Sequence, residues 1–198
     1  MIIVLGAASG AGQSRTKQSG PKPVAGIRQI DFLNFNYHAS LCSREYGRKG
    51  IGETVRVRNG EFKNRNAYFA VADKKIIYAD VTGDGREEAI VPVDCGALGA
   101  NFSLSEVNVY TIRDGRAALL AQISDKNLER DYRRNYPDAE SYWGINDSGI
   151  KAGDGNVEIE VLVDGPHASP KYIVRLEYRL SGRILRLNGK PQRRPRPE

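Results

Sequence analysis

Glu106-Val107-Asn108-Val109-Tyr110-Thr111-Ile112, followed by Asp114-Gly115 and the run 117–123, decides the fold of this chain. Apolar and polar residues alternate with the two-residue period of a half-buried strand, and Asp-Gly turns the backbone into a returning strand. The same alternation recurs in Val157-Glu158-Ile159-Glu160-Val161-Leu162-Val163 and in Tyr172-Ile173-Val174-Arg175-Leu176-Glu177-Tyr178-Arg179-Leu180, from which Ser181-Gly182 leads into residues 184–187. Upstream, residues 54–62 hold a short strand and an Asn59-Gly60 turn, a strong local hairpin signal. The runs 67–72, 74–79 and 89–93 read as further strands, and residues 27–37 as the first strand, bulged at Leu33-Asn34. Leu128, Tyr132 and Tyr136 recur at four-residue spacing ahead of Pro137, which predicts one short helix over 125–136. The fold class is therefore mainly β: a single domain, an antiparallel meander of hairpins with one short helix.

Between two of these strands lies Asp80-Val81-Thr82-Gly83-Asp84-Gly85-Arg86-Glu87-Glu88. Oxygen-bearing side chains at alternating positions around a glycine suit a hard cation, which takes roughly 6–8 oxygen ligands and needs a sharply turning backbone. Asp80, Thr82, Asp84, Arg86 through its carbonyl, and Glu88 form the expected ligand set for Ca²⁺. Position twelve of an EF-hand would fall on Val91, inside a strand, so an EF-hand is excluded.

From about Lys74 to Asp94 the segment resembles the calcium loop of FG-GAP and VCBS-type repeats, as in integrin α-subunit propeller blades, where Asp-x-Asp/Asn-x-Asp-Gly-x-x-Asp joins two strands. Thr82 stands where that pattern has a carboxylate or amide, and Glu88 where it has Asp. The resemblance implies calcium binding. Read without it, the loop is a tight turn whose Asp80 and Thr82 bond local N–H groups. No unit repeats at the spacing of a propeller: Gly153-Asp154-Gly155 lacks flanking carboxylates and reads as a turn, so a full propeller is not expected.

The N-terminal run Met1-Ile2-Ile3-Val4-Leu5-Gly6-Ala7-Ala8-Ser9-Gly10-Ala11-Gly12 contains Gly-x-x-x-Gly-x-Gly, which resembles the nucleotide turn of short-chain dehydrogenases. That turn needs a helix straight after it. Residues 13–23 instead hold two prolines and no apolar period, and no Tyr-x-x-x-Lys pair follows. Residues 1–12 read better as the remnant of an export signal cleaved after Ala11, though the positive n-region is missing. Residues 13–26 are then a polar linker, 27–189 the β domain, and 190–198 a basic Pro-rich tail, extended and solvated. About 160 residues suffice for one core. The expected location is extracytoplasmic, secreted or periplasmic, where calcium is plentiful. No apolar run approaches the ~20 residues of a transmembrane helix.

Cys42 and Cys95 are the two cysteines, an even pair that in an exported chain forms one disulfide; two separate buried thiols are the alternative. The chain lacks Cys-x-x-Cys, and its two histidines, His38 and His167, lie far apart in sequence, so neither zinc nor a thiol nucleophile is indicated. No catalytic residue is singled out. Tyr132, Tyr136, Tyr142 and Trp143, interspersed with arginines, compose a surface that could stack sugars or anchor a partner. The net charge of +6 and pI near 9.3 favour anionic partners, placed at the tail, without any motif for sequence-specific nucleic-acid reading. The expected function is an exported, calcium-stabilised, non-catalytic domain that binds a protein or an anionic envelope polymer. The alternative is an exported hydrolase, marked by a cleft holding two carboxylates, or one beside a histidine.

Overall fold

Three two-residue turns set the hairpins: Asn59-Gly60, Asp114-Gly115 and Asp154-Gly155 all have positive φ at both positions, as a type I′ turn requires. A computed structural model describes residues 25–71 and 75–197 of the 198-residue chain; the signal-like run, most of the linker and Lys74 lie outside the described residues. Around the turns run β1 (Asn36–His38), β2 (Thr54–Arg56), β3 (Glu61–Lys63), β4 (Ala67–Val71), β5 (Ile77–Ala79), β6 (Glu88–Ala97), β7 (Leu104–Arg113) and β8 (Arg116–Ser124). They are followed by β9 (Tyr142–Gly153), β10 (Asn156–Val163), β11 (Tyr172–Ser181), β12 (Ile184–Leu187) and β13 (Gln192–Pro195). Among the described residues all pairings are antiparallel, and they form neither a barrel nor a propeller.

The sheets build three layers. A central sheet in the order β3-β4-β6-β7-β8, with β5 also on β6, is flanked on one side by a sheet in the order β12-β11-β10-β9, with β13 also on β11. Val107, Val109, Ala121 and Ile123 of the central sheet share a buried core with Val157, Ile159, Val161, Val174, Leu176 and Tyr178 of the second. The helix α2 (Asp125–Asn135) contributes Leu128 and Tyr132 to this core, as its four-residue spacing predicts. On the opposite face, Tyr110, Phe69, Val91 and Val93 pack against an N-terminal layer of Phe32, Tyr37, Cys42, Ile51 and Val55. Pro92 is tolerated within β6 because β5 pairs only as far as Ile90 and β4 starts at Val93, so among the described residues no strand on that side pairs with it.

Three expectations need correction. Residues 27–37 are not one strand: two single-turn 3₁₀ helices, Ile27–Gln29 and Phe32–Asn34, precede β1. The Asp31 carboxylate accepts the N–H groups of Leu33 and Asn34, each at 3.1 Å, and this local cap outcompetes the extended chain. Beside the expected helix there is a second, α1 (Ser40–Tyr46), whose neighbour Ala39 offers no side-chain cap. Its cap comes from β7 instead: the buried Glu106 carboxylate accepts from Leu41 N–H and, at 2.9 Å, from Cys42 N–H. Thirdly, the tail is not free, because 192–195 pairs with 172–175 as β13. Arg193 fixes it: its guanidinium lies 4.8 Å from the ring centroids of both Tyr136 and Tyr172 and 3.4 Å from the buried Asp164 carboxylate.

Cys42 and Cys95 are joined, tying α1 to β6 across a sequence separation of 53. Among the described residues, no helix is long and apolar enough to cross a membrane.

Candidate functional site: an aromatic groove beside helix α2

Trp143 owes its position to an irregularity in β9. Gly144 pairs with Leu162 and Tyr142 with Val163, so Trp143 is an extra residue with no partner on β10. Such a bulge re-aims a side chain, and Gly144 takes the φ of 105° that closes it, a value other residues adopt only under strain. The indole N–H donates to the Gly165 carbonyl at 3.1 Å, and the His167 ring stands edge-on at 5.1 Å. The half-exposed ring is thereby held in one orientation before any ligand arrives.

The ring borders a cavity of about 460 Å³ whose lining includes Phe102, Asp125, Glu129, Tyr142 and His167. A smaller cavity of about 120 Å³, lined by Asp94 and Asn146 among others, shares Ser103, Trp143 and Gly144 with it and extends the groove. Phe102 is 58% exposed, among the most exposed of the large apolar side chains described. Beneath the aromatic rim sits a polar floor. Asp125, the first residue of α2, accepts from the Tyr142 hydroxyl at 2.6 Å and from Ser105 N–H at 2.5 Å, while the Ser105 hydroxyl donates to Asp94 at 2.7 Å. Burial pushes the Asp125 carboxyl up to about 6, and burial followed by the Asp125 charge pushes the Tyr142 phenol well above its ordinary value.

The four expected aromatic residues divide. Tyr142 and Trp143 line the groove, whereas Tyr132 is fully buried with its hydroxyl on Asp164 at 3.0 Å. Tyr136 is half-buried, bonded to the Pro191 carbonyl at 2.7 Å and covered by Arg193, so both face the interior and β13 rather than a partner. Asp94, Phe102, Asp125, Glu129 and His167 come from scattered segments that no short motif links. The Trp143-Gly144 pair is the usable signal, since a glycine inside a strand pattern marks a bulge.

The acidic loop joins β5 to β6 as a hairpin, and its carboxylates serve its own backbone. One Asp80 oxygen accepts from Thr82 N–H at 3.1 Å and Gly83 N–H at 2.6 Å, the other from Gly85 N–H at 2.8 Å. These bonds, that from Gly85 foremost, hold the Asp80 carboxyl below its usual range. Asp84 accepts from Arg86 N–H at 2.9 Å. Glu88 turns inward, fully buried, accepting from Val81 N–H at 3.2 Å and the Thr111 hydroxyl at 3.1 Å, and burial raises its pKa. Among the described residues, no three His, Cys, Asp or Glu side chains converge as a metal-ligand set, so in this arrangement the loop is a self-closed turn.

No protein family, curated protein or solved structure was found to match this chain.

Proposed function

We propose that this protein is an extracytoplasmic, non-catalytic binding domain that takes a hydroxyl-rich ligand, a segment of glycan, in the groove beside Trp143. The observation that carries this reading is the fixed indole: a bulge, a hydrogen bond to Gly165 and the edge of His167 hold an exposed aromatic face over a floor of hydrogen-bonding groups. Preorganised aromatic faces contribute large contact area at low entropic cost, and the few polar groups fix orientation. The buried disulfide supports a location in an oxidising compartment. Trp143 is the single tryptophan, so the groove carries its own reporter. Titration with neutral oligosaccharides should shift and saturate the tryptophan emission, and Phe102→Ala should weaken binding by about 0.5–1.5 kcal/mol, the scale of one lost aromatic contact. If emission responds to peptides and to no saccharide, the reading fails.

A hydrolase is the second reading, favoured by one observation: Asp125 and Glu129 line the same cavity as His167, and Asp125 keeps its proton to about pH 6. Binding is preferred because both Asp125 oxygens are engaged by Tyr142 and Ser105, and Glu129 is paired with Arg133 at 2.9 Å. Hydrolysis of a bound oligosaccharide, abolished by Asp125→Asn with binding retained, would reverse that preference.

Calcium belongs to this proposal as a stabiliser of the acidic loop rather than a part of the groove. Asp80 and Asp84 would have to exchange loop N–H partners for the ion, and Glu88 would have to turn outward. Excess calcium should then raise the melting temperature above that in chelator, and Asp84→Ala should erase the difference; coincident melts at millimolar calcium end the idea.

A further inference from the structure

Positive charge is unevenly distributed over this molecule. Residues 44–65 hold seven lysines and arginines against three carboxylates, Glu45, Glu53 and Glu61, a net of four positive charges in a chain of +6. All seven cations are exposed, and among the described residues none makes an ion pair, while Glu45 is taken by Lys126 of α2. Several arginines elsewhere are engaged, Arg28 with Glu87, Arg175 with Glu158, Arg193 with Asp164 and Arg194 with Glu160, while Arg134, Arg183 and Arg186 are exposed without an ion pair among the described residues but line no cleft with residues 44–65. The arginines of 192–195, where the composition had suggested an anionic partner, are thus largely neutralised by the fold.

Three of the seven, Arg56, Arg58 and Lys63, border a cleft. β2 and β3 meet at the Asn59-Gly60 turn, where Arg58 and Glu61 exchange backbone hydrogen bonds of 3.0 and 3.1 Å. Beyond it they part, β2 pairing with β1 and β3 with β4, each the terminal strand of its sheet. Between them lies a cavity of about 460 Å³ lined by Arg56, Arg58 and Lys63, with the single carboxylate Glu61, over Val55 and Phe62. Arg56 and Arg58, two residues apart on an extended chain, project on one side about 7 Å from each other. Arg56 also borders the adjoining cavity of about 540 Å³ with Arg116, where Asp31 is the one carboxylate of the lining.

Charges strung along a strand edge fit a chain of repeated anions better than a single small anion, which would need convergent, enclosed donors. Single-stranded nucleic acid would call for an exposed aromatic platform, and the one aromatic side chain in the cleft lining, Phe62, is half-buried. We infer that the β2–β3 cleft binds an extended anionic polysaccharide, at a surface separate from the Trp143 groove.

The test uses the full chain and heparin, a sulfated polysaccharide, with binding measured over a range of salt. Arg56→Gln/Arg58→Gln/Lys63→Gln should weaken binding at least about tenfold and lower the slope of log K against log salt by roughly three, about one per lost contact. A charge-matched variant, Arg134→Gln/Arg183→Gln/Arg186→Gln, should change affinity less than about twofold. Equal losses in the two variants would reduce the effect to net charge and overturn the proposal. So would absence of heparin binding by the wild type, or equal competition by single-stranded DNA at the same charge concentration. Tryptophan emission reports the other groove independently, so either site can fail without the other.

Discussion

On one face of β7, Val107 and Val109 are buried among aliphatic side chains of the second sheet; on the other, Glu106, Asn108 and Tyr110 are buried against the N-terminal layer. The first face is held by non-directional burial, tolerant of small shifts and repacking. The second adds individual polar partners to its apolar packing. Glu106 caps α1 and accepts from the Gln122 amide at 2.5 Å, Gln122 also donates to Asn108 at 2.6 Å, and a disulfide adds a covalent tie. A layer of 3₁₀ turns, one short helix and a two-stranded ribbon has little backbone pairing of its own, so specific attachments supplement its apolar packing.

The contrast can be broken most forcefully at the disulfide. Cys42→Ala/Cys95→Ala should cost about 4 kcal/mol by the chain-entropy argument, read from denaturant unfolding. Hydrogen exchange should show α1 and β1–β2 opening before β10 and β11. Simultaneous loss of protection on both faces would mean that the layers unfold as one unit.

The sandwich side carries a pH dependence of its own through Asp125. Its carboxyl sits at about 6 in the folded protein, above the ordinary Asp value of about 3.9, so the folded state holds the proton more tightly than the unfolded chain. That contribution is complete below about pH 4 and is lost as pH rises through 6. Relative to Asp125→Asn, the wild type should therefore lose about 3 kcal/mol of stability between pH 3 and pH 7. Identical pH profiles for the two proteins would place the proton elsewhere.

The smallest of these effects should come from Glu106→Ala, which leaves two N–H groups of α1 without a side-chain acceptor. A cost of about 2 kcal/mol, confined in hydrogen exchange to α1, is expected. A loss spread evenly over both faces would erase the distinction between them.

Where structure follows from neighbouring residues, the sequence is a good guide. The strands around Val107, Ile159 and Leu176, the turns at Asp114-Gly115 and Asn59-Gly60, and the α2 stripe of Leu128 and Tyr132 all lie where alternation and turn chemistry put them. What escaped depends on distant partners. α1 is capped by a carboxylate more than sixty residues away, β13 is held because Arg193 meets Asp164 and two tyrosine rings, and Tyr132 is internal because Asp164 takes its hydroxyl. The groove is legible only at Trp143 and Tyr142; Phe102, Asp125 and His167 reach it through pairings that local sequence does not encode.

The break in pairing at Pro92 has an engineering consequence. Because β4 and β5 meet β6 on either side of that proline, the hairpin of β5 joins the central sheet by three register pairs, while Ile77 and Ala79 pack on the second core. Val81 and Glu88 anchor its base, while 82–87 are exposed and open space surrounds Gly83 and Gly85. A foreign peptide grafted between them would project from a rigid scaffold without disturbing either core, which makes this tip a natural display point for epitopes or affinity handles.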